Sequence, residues 1–185
     1  RDVLGSRGLG DVYKRQVLFL ETKSVLVALR DSGARIGIIS TKYRYRIEEL
    51  LEQHFPANFM DIIVGGEDVK TAKPSPEGLL LAIKQLHVSK AETLYIGDST
   101  VDAQTAKAAG VDFAGVLHGM TTAEELQQYP HKKIMNSLEE LLEKEPQTEP
   151  SISRKRPQPS LNLKQLIFIL ALIAILIAIT AIYIL

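Results

Sequence analysis

Residues 94–110 read LYIGDSTVDAQTAKAAG, an apolar run followed by a glycine and two aspartates, Asp98 and Asp102, four residues apart. At that spacing both carboxylates lie on one face of a helix's first turn. Neighbouring carboxylates repel each other unless something positive stands between them. Two other stretches carry groups of complementary kind: Ser40-Thr41-Lys42 behind the apolar run RIGII, and Lys73 in the loop TAKPSPE. Each has a structural explanation when taken singly. A Ser-Thr pair after a strand can cap a helix, a lysine in a proline-rich loop ordinarily faces solvent, and an aspartate after a strand can serve as an N-cap. Together they supply hydroxyl donors, a cation and an acidic pair, which suits a phosphate monoester held against a hard divalent cation. Mg²⁺ takes oxygen ligands, commonly one or two carboxylates plus substrate phosphate, so Asp98 and Asp102 are its candidate ligands. Lys73 would offset charge on a transferring phosphoryl group while the hydroxyls of Ser40 and Thr41 orient it.

The elements that must position these groups alternate between helix and strand. Glu21–Asp31 reads as a helix closed by Ser32-Gly33, and Arg35–Ser40 as a buried strand. Tyr43–His54 carries Ile47, Leu50, Leu51 and His54 on one stripe, the pattern of an amphipathic helix. Asp61–Val64 is a second strand. Ser75 is placed to cap a helix with Pro76 at its first position and Leu79, Leu80, Ile83 and Leu86 on its core face. Thr93–Ile96, Ser99–Ala109 and Phe113–Val116 continue as strand, helix and strand, and short helices are expected at 123–128 and 137–143. Such alternation implies βαβ units: an α/β fold with a mostly parallel, Rossmann-like sheet and helices on both faces. Ligands in sheets of that kind bind beyond the carboxyl ends of the strands, where all three polar stretches fall.

The stretches IISTK, AKPSPEGLLLAIKQL and YIGDSTVDAQTAKAAGV resemble the second, third and fourth motifs of the haloacid-dehalogenase-like hydrolases. The phosphoglycolate-phosphatase-like members are the most similar, and the resemblance covers about residues 21–143. It implies that Ser40 binds phosphate, that Lys73 steadies it and the nucleophile, and that Asp98 is a magnesium ligand. Asp102 would support the metal directly or through water. The first motif of that family is Asp-x-Asp at the end of the first strand, a nucleophile and a general acid–base. No Asp-x-Asp occurs anywhere in these 185 residues.

The chain is divided into four parts by composition. Residues 1–16, RDVLGSRGLGDVYKRQ, have no hydrophobic period, and Ser6–Gln16 resembles the translation of a common transposase sequencing adapter. They are set aside as an artefact, which places the family's first strand and cap upstream of Val17 and outside this sequence. Residues 17–144 form the incomplete hydrolase core. Residues 145–163 contain four prolines and a basic cluster, Arg154-Lys155-Arg156, and read as a linker. Leu166–Leu185 is uncharged and nearly all aliphatic, long enough at about 1.5 Å per residue to cross a bilayer core, so 164–185 is expected to be a transmembrane helix. The basic residues just before it place the globular part on the cytoplasmic side. Lys+Arg and Asp+Glu both number 22, a balance that gives no electrostatic case for nucleic-acid binding. There is no cysteine, and the four histidines lack ligand-like spacing, so a zinc site is not expected.

The reading that follows is a membrane-tethered, Mg²⁺-dependent phosphatase of small phosphorylated metabolites, working through an aspartyl-phosphate. This chain alone, without the nucleophile, is expected to turn over nothing and to fold poorly. The alternative is a degenerate hydrolase domain acting as a membrane-anchored binding module. A phosphoacceptor signalling domain fits less well, because its acidic cluster would precede the lysine.

Overall fold

The computed structural model describes residues 21–142, together with the backbone of Ile167–Phe168. Apolar residues spaced three and four apart bury one stripe of the first helix, α1 (21–31), through Val25, Leu26 and Leu29. Ser32 and Gly33 close it, the Ala34 N–H returning to the Leu29 carbonyl at 3.0 Å. Strand β1 (Gly37–Ile39) follows, then α2 (Arg44–Glu52), β2 (Ile62–Val64), α3 (Glu77–Gln85), β3 (Leu94–Gly97), α4 (Thr100–Ala109), β4 (Asp112–Val116), α5 (Ala123–Gln127) and β5 (Lys133–Met135). The last strand, β6, is Ile167–Phe168.

Every pairing is parallel. β1 pairs with β2, Ile38 opposite Ile63, while the order β5-β4-β3-β6 makes a second sheet in which Ile96 lies opposite Ala114. The sheet is divided in two: β1 and β3 are not hydrogen-bonded neighbours among the described residues. Packing nonetheless unites them. Successive side chains of a strand point to opposite faces, and the strands obey this on both sides of the divide. Ile38, Ile96 and Ala114 join one hydrophobic cluster with residues of α1 and α2. Ile39, Tyr95 and Phe113 join the other, with residues of α3, α4 and α5. Helices therefore cover both faces, as the alternation implied.

Several boundaries differ from the sequence expectation. The N-cap of α3 is Pro76 rather than Ser75, although the Ser75 hydroxyl does accept the Glu77 N–H at 3.3 Å. Within α3, Leu79, Ile83 and Leu86 are buried but Leu80 only partly, and Ala82 takes the fourth core place. The terminal helix is a single 3-10 turn, Leu138–Leu141, capped by Ser137. Strand β5 was not foreseen, because Lys-Ile-Met is too short to show a period.

Among the described residues no helix is long and apolar enough to cross a membrane. Residues 1–16, the linker 145–163 and the expected span 164–185 lie outside the described residues, apart from the backbone of one pair. That pair, Ile167–Phe168, is extended rather than helical, and sits opposite Leu94 and Tyr95 on the free side of β3.

Candidate active site

The carboxyl ends of β1, β2 and β3 carry the polar groups singled out above. β1 is followed by Ser40, whose N–H donates to the Val64 carbonyl at 2.9 Å and so extends the β1–β2 ladder by one bond. Its hydroxyl accepts the Lys42 N–H at 3.1 Å, which turns the chain away from the strand and into α2. Ser40 and Thr41 line a small open cleft with Gly65 and Gly66 from the end of β2 and with Lys73 and Ser75 from the following loop. Asp98 and Asp102 do not line it. The structure thus brings the expected hydroxyls and the lysine together directly, and the acidic pair only through the lysine.

Lys73 makes that link. Its side chain is nine-tenths buried, and its ammonium donates to Asp102 Oδ1 at 2.7 Å. Asp102 is fully buried and well supplied with partners: Tyr95 Oη donates to the same Oδ1 at 3.2 Å, and the Ser99 hydroxyl donates to Oδ2 at 2.5 Å. Ser99 also caps α4, accepting the Asp102 N–H at 3.2 Å, so the residue that starts the helix fixes the carboxylate as well. The positive charge beside the acidic pair is therefore Lys73. This geometry gives Asp102 to Lys73, Tyr95 and Ser99, whereas its spacing from Asp98 alone pointed to a shared metal.

Asp98 stands in a different condition. It is buried, and its Oδ1 has no hydrogen-bond partner. Burial first, and the Asp102 charge second, push its carboxyl up to about 6, with its own backbone N–H and Lys73 acting the other way. A buried acceptor left unsatisfied carries a desolvation cost that a bound cation would remove. That orphan oxygen fits an oxygen-seeking ion such as Mg²⁺. Among the described residues no three acidic or histidine side chains converge on one point, so Asp98 would need ligands from elsewhere, including substrate.

Two glycines let the backbone close around the pair. A Cβ at Gly97 would fall 2.4 Å from Asp102 Cβ, and one at Gly119 would fall 2.6 Å from Asp98 Oδ2. Gly119 lies in the turn after β4, so the ends of two adjacent strands of the second sheet, β3 and β4, shape the acidic side. Tyr95, Gly97, Ser99 and Gly119 were not identified as site residues from the sequence. Tyr95 left one signal, a hydroxyl in an otherwise aliphatic buried strand, which must find a partner inside. Burial and the Asp102 charge raise that phenol far above its ordinary range, so it acts as a donor.

Parallel strands flanked by helices, with polar groups at their carboxyl ends, define the Rossmann-like α/β class, which holds ligands along that edge. Within this class the chain belongs to the haloacid dehalogenase-like hydrolase family, which matches residues 12–116. A phosphoglycolate phosphatase of Salmonella typhimurium is 35% identical over 140 residues, covering 75% of this chain and 56% of that protein. One from Escherichia coli K12 is 32% identical over 125 residues, covering 68% of this chain and 50% of the other. The chain therefore spans about half the length of the curated relatives it matches. Among solved structures, a Bacteroides fragilis protein assigned as a haloacid dehalogenase-like hydrolase is 58% identical, with a TM-score of 0.63 over 64% of this chain and 56% of that one. A Lactobacillus delbrueckii subsp. bulgaricus protein assigned as a phosphoglycolate phosphatase is 28% identical, with a TM-score of 0.59 over 64% and 49% of the two chains.

Proposed function

We propose that the protein contributes the phosphate- and metal-binding half of a phosphatase acting on small phosphate monoesters, with a phosphoglycolate-like substrate. The observation that carries this is the position of Lys73: it lines the Ser40–Thr41 cleft while its ammonium rests on buried Asp102, beside an Asp98 oxygen that lacks a partner. In this reading the Ser40 and Thr41 hydroxyls hold the phosphate oxygens, Lys73 offsets their charge, and Asp102 fixes Lys73 without touching substrate. Asp98 would hold Mg²⁺, which when bound supplies electrostatic stabilisation of the phosphoryl oxygens.

The reacting carboxylates are not among these residues, since no Asp-x-Asp occurs in them. In the proposal they come from chain outside this sequence. One carboxylate oxygen forms a bond to phosphorus as the bond to the ester oxygen breaks, and a proton goes to the leaving alcohol. Water then attacks the same phosphorus, regenerating the carboxylate and releasing phosphate. The 185-residue chain by itself would turn over nothing. The apolar composition of 164–185 and the basic residues before it support a membrane tether with the domain facing the cytoplasm, which requires Ile167–Phe168 to leave β3. The partner is a small phosphorylated metabolite and not nucleic acid.

The test uses the full-length protein recovered from the same genomic locus. Phosphate release from a panel of monoesters is expected with Mg²⁺ and is expected to stop on adding a chelator. A protein that contains Asp-x-Asp yet hydrolyses no monoester in the panel would defeat the proposal.

A further inference from the structure

The two loops that form the cleft are bound to each other chiefly by side chains that do not line it. Helix α2 has no side-chain cap of its own at Tyr43. Its first N–H, from Arg44, donates instead to Glu67 Oε1 at 2.8 Å, across from the turn after β2. The Arg44 guanidinium donates to Asp68 Oδ2 at 2.6 Å, and the same oxygen accepts the Gly65 N–H at 2.7 Å. The Gly66 N–H donates to the Lys42 carbonyl at 2.9 Å. The approach is so close that a Cβ on Gly66 would lie 2.6 Å from the Thr41 carbonyl oxygen. Further along the same loop, Glu77 accepts two consecutive backbone N–H groups, from Lys70 at 2.8 Å and Thr71 at 3.0 Å. The segment that carries Lys73 is thus pinned at one end to the Ser40 loop and at the other to the start of α3.

We propose that Glu67 and Asp68, with Arg44 as their counterpart, are positioning residues that lock the Lys73 loop to the Ser40–Thr41 loop at the separation one phosphate group requires, and that Glu77 fixes the other end of the Lys73 loop to α3. The proposal rests on reading the cleft as a phosphate site. Exposure separates this role from a merely structural one. Arg44 and Asp68 side chains are 40% and 23% exposed, and ion pairs at such positions add little to global stability. Arg44 and the Gly65 N–H hold the Asp68 carboxyl below its usual range, so the clasp is charged at neutral pH.

The experiment is hydrogen-exchange mass spectrometry on the full-length protein, with and without saturating inorganic phosphate, comparing wild type with Glu67→Ala, Glu67→Gln, Asp68→Ala and Glu77→Ala. Without phosphate, peptides covering 40–46 and 65–75 are expected to exchange at least about tenfold faster in the first and third variants. Glu77→Ala should loosen only 69–75. Glu67→Gln, whose amide oxygen still accepts the Arg44 N–H, should restore wild-type exchange. Phosphate should protect both loops in wild type, and the alanine variants should need about tenfold more of it while their denaturation midpoints stay close to wild type. Unchanged exchange of the two loops in Glu67→Ala and Asp68→Ala would overturn the clasp. Equal phosphate requirement in all forms would overturn its role in positioning. Absence of phosphate protection in wild type would overturn the phosphate reading instead, leaving the clasp to be judged on exchange alone.

Discussion

The two sides of the cleft edge are built on opposite plans. On the β1–β2 side, Ser40 is half-buried and Thr41 exposed, and the loops are held by carboxylates and an arginine at the surface. On the β3–α4 side, Asp98 and Asp102 are buried, and their own side chains leave no space even for a methyl group at Gly119 or Gly97. The first side can adjust to a ligand at small cost, because solvent replaces whatever hydrogen bonds a loop gives up. The second cannot, because solvent does not replace the bonds its buried polar groups make. Lys73 joins the two, rooted in the rigid side by Asp102 and reaching the adjustable one. The same contrast recurs inside the rigid side, where Asp102 has every acceptor filled and Asp98 has one left over.

Breaking the rigid side should cost most. Asp102→Ala strands Lys73 and Tyr95 in a buried position and is expected to destabilise the domain by about 3–5 kcal/mol in denaturant titration. A cost below about 1 kcal/mol would show that the buried pairing is not what fixes Lys73.

Asp98 should behave in the opposite sense. Its carboxyl, raised from 3.8 to about 6, keeps its proton longer in the folded state than in the unfolded one. Metal-free stability attributable to this group is therefore full below pH 4, falls as pH rises to about 6, and stays low above it, by at most about 3 kcal/mol. Asp98→Asn should remove that fall and be as stable as wild type or more stable at pH 7. It should also abolish any rise in Tm that Mg²⁺ produces in wild type. Wild type and variant losing stability in parallel over that range would contradict this account.

Gly97→Ala forces a Cβ against Asp102 and is expected to cost about 1–3 kcal/mol. Gly119→Ala presses first on the Asp98 carboxyl group, Oδ2 lying 2.6 Å from the new Cβ, so it should cost less and act mainly on the Mg²⁺ effect. Smallest of all is Arg44→Ala on the exposed side, about 0.2–1 kcal/mol in the same titration. A loss from Arg44→Ala as large as that from Asp102→Ala would erase the distinction between the two sides.

Much of this was legible in order along the chain. RIGIIS and LYIG announce buried strands, and Ile47, Leu50 and Leu51 announce one face of α2, because burial demands apolar side chains at the period of each element. Boundaries at Pro76 and at the 3-10 turn after Ser137 were less legible, since capping bonds at neighbouring residues differ little in energy. Strand β5 left almost no trace, because a three-residue strand takes its stability from β4 rather than from its own composition.

The sequence by itself determined the α/β class and singled out Ser40, Thr41, Lys73, Asp98 and Asp102 as candidates, since side-chain chemistry and spacing are local properties. Only the tertiary structure decided how those residues divide the work. Whether a carboxylate meets a lysine, a tyrosine and a serine or is left with a bare oxygen depends on what lies across from it. Lys73 reaches Asp102 from 29 residues away, and Gly119 closes on Asp98 from a different strand end. Charge pairing and desolvation are set by distance in space, and a four-residue spacing carries no information about either: Asp98 lies before the N-cap of α4 and Asp102 within its first turn.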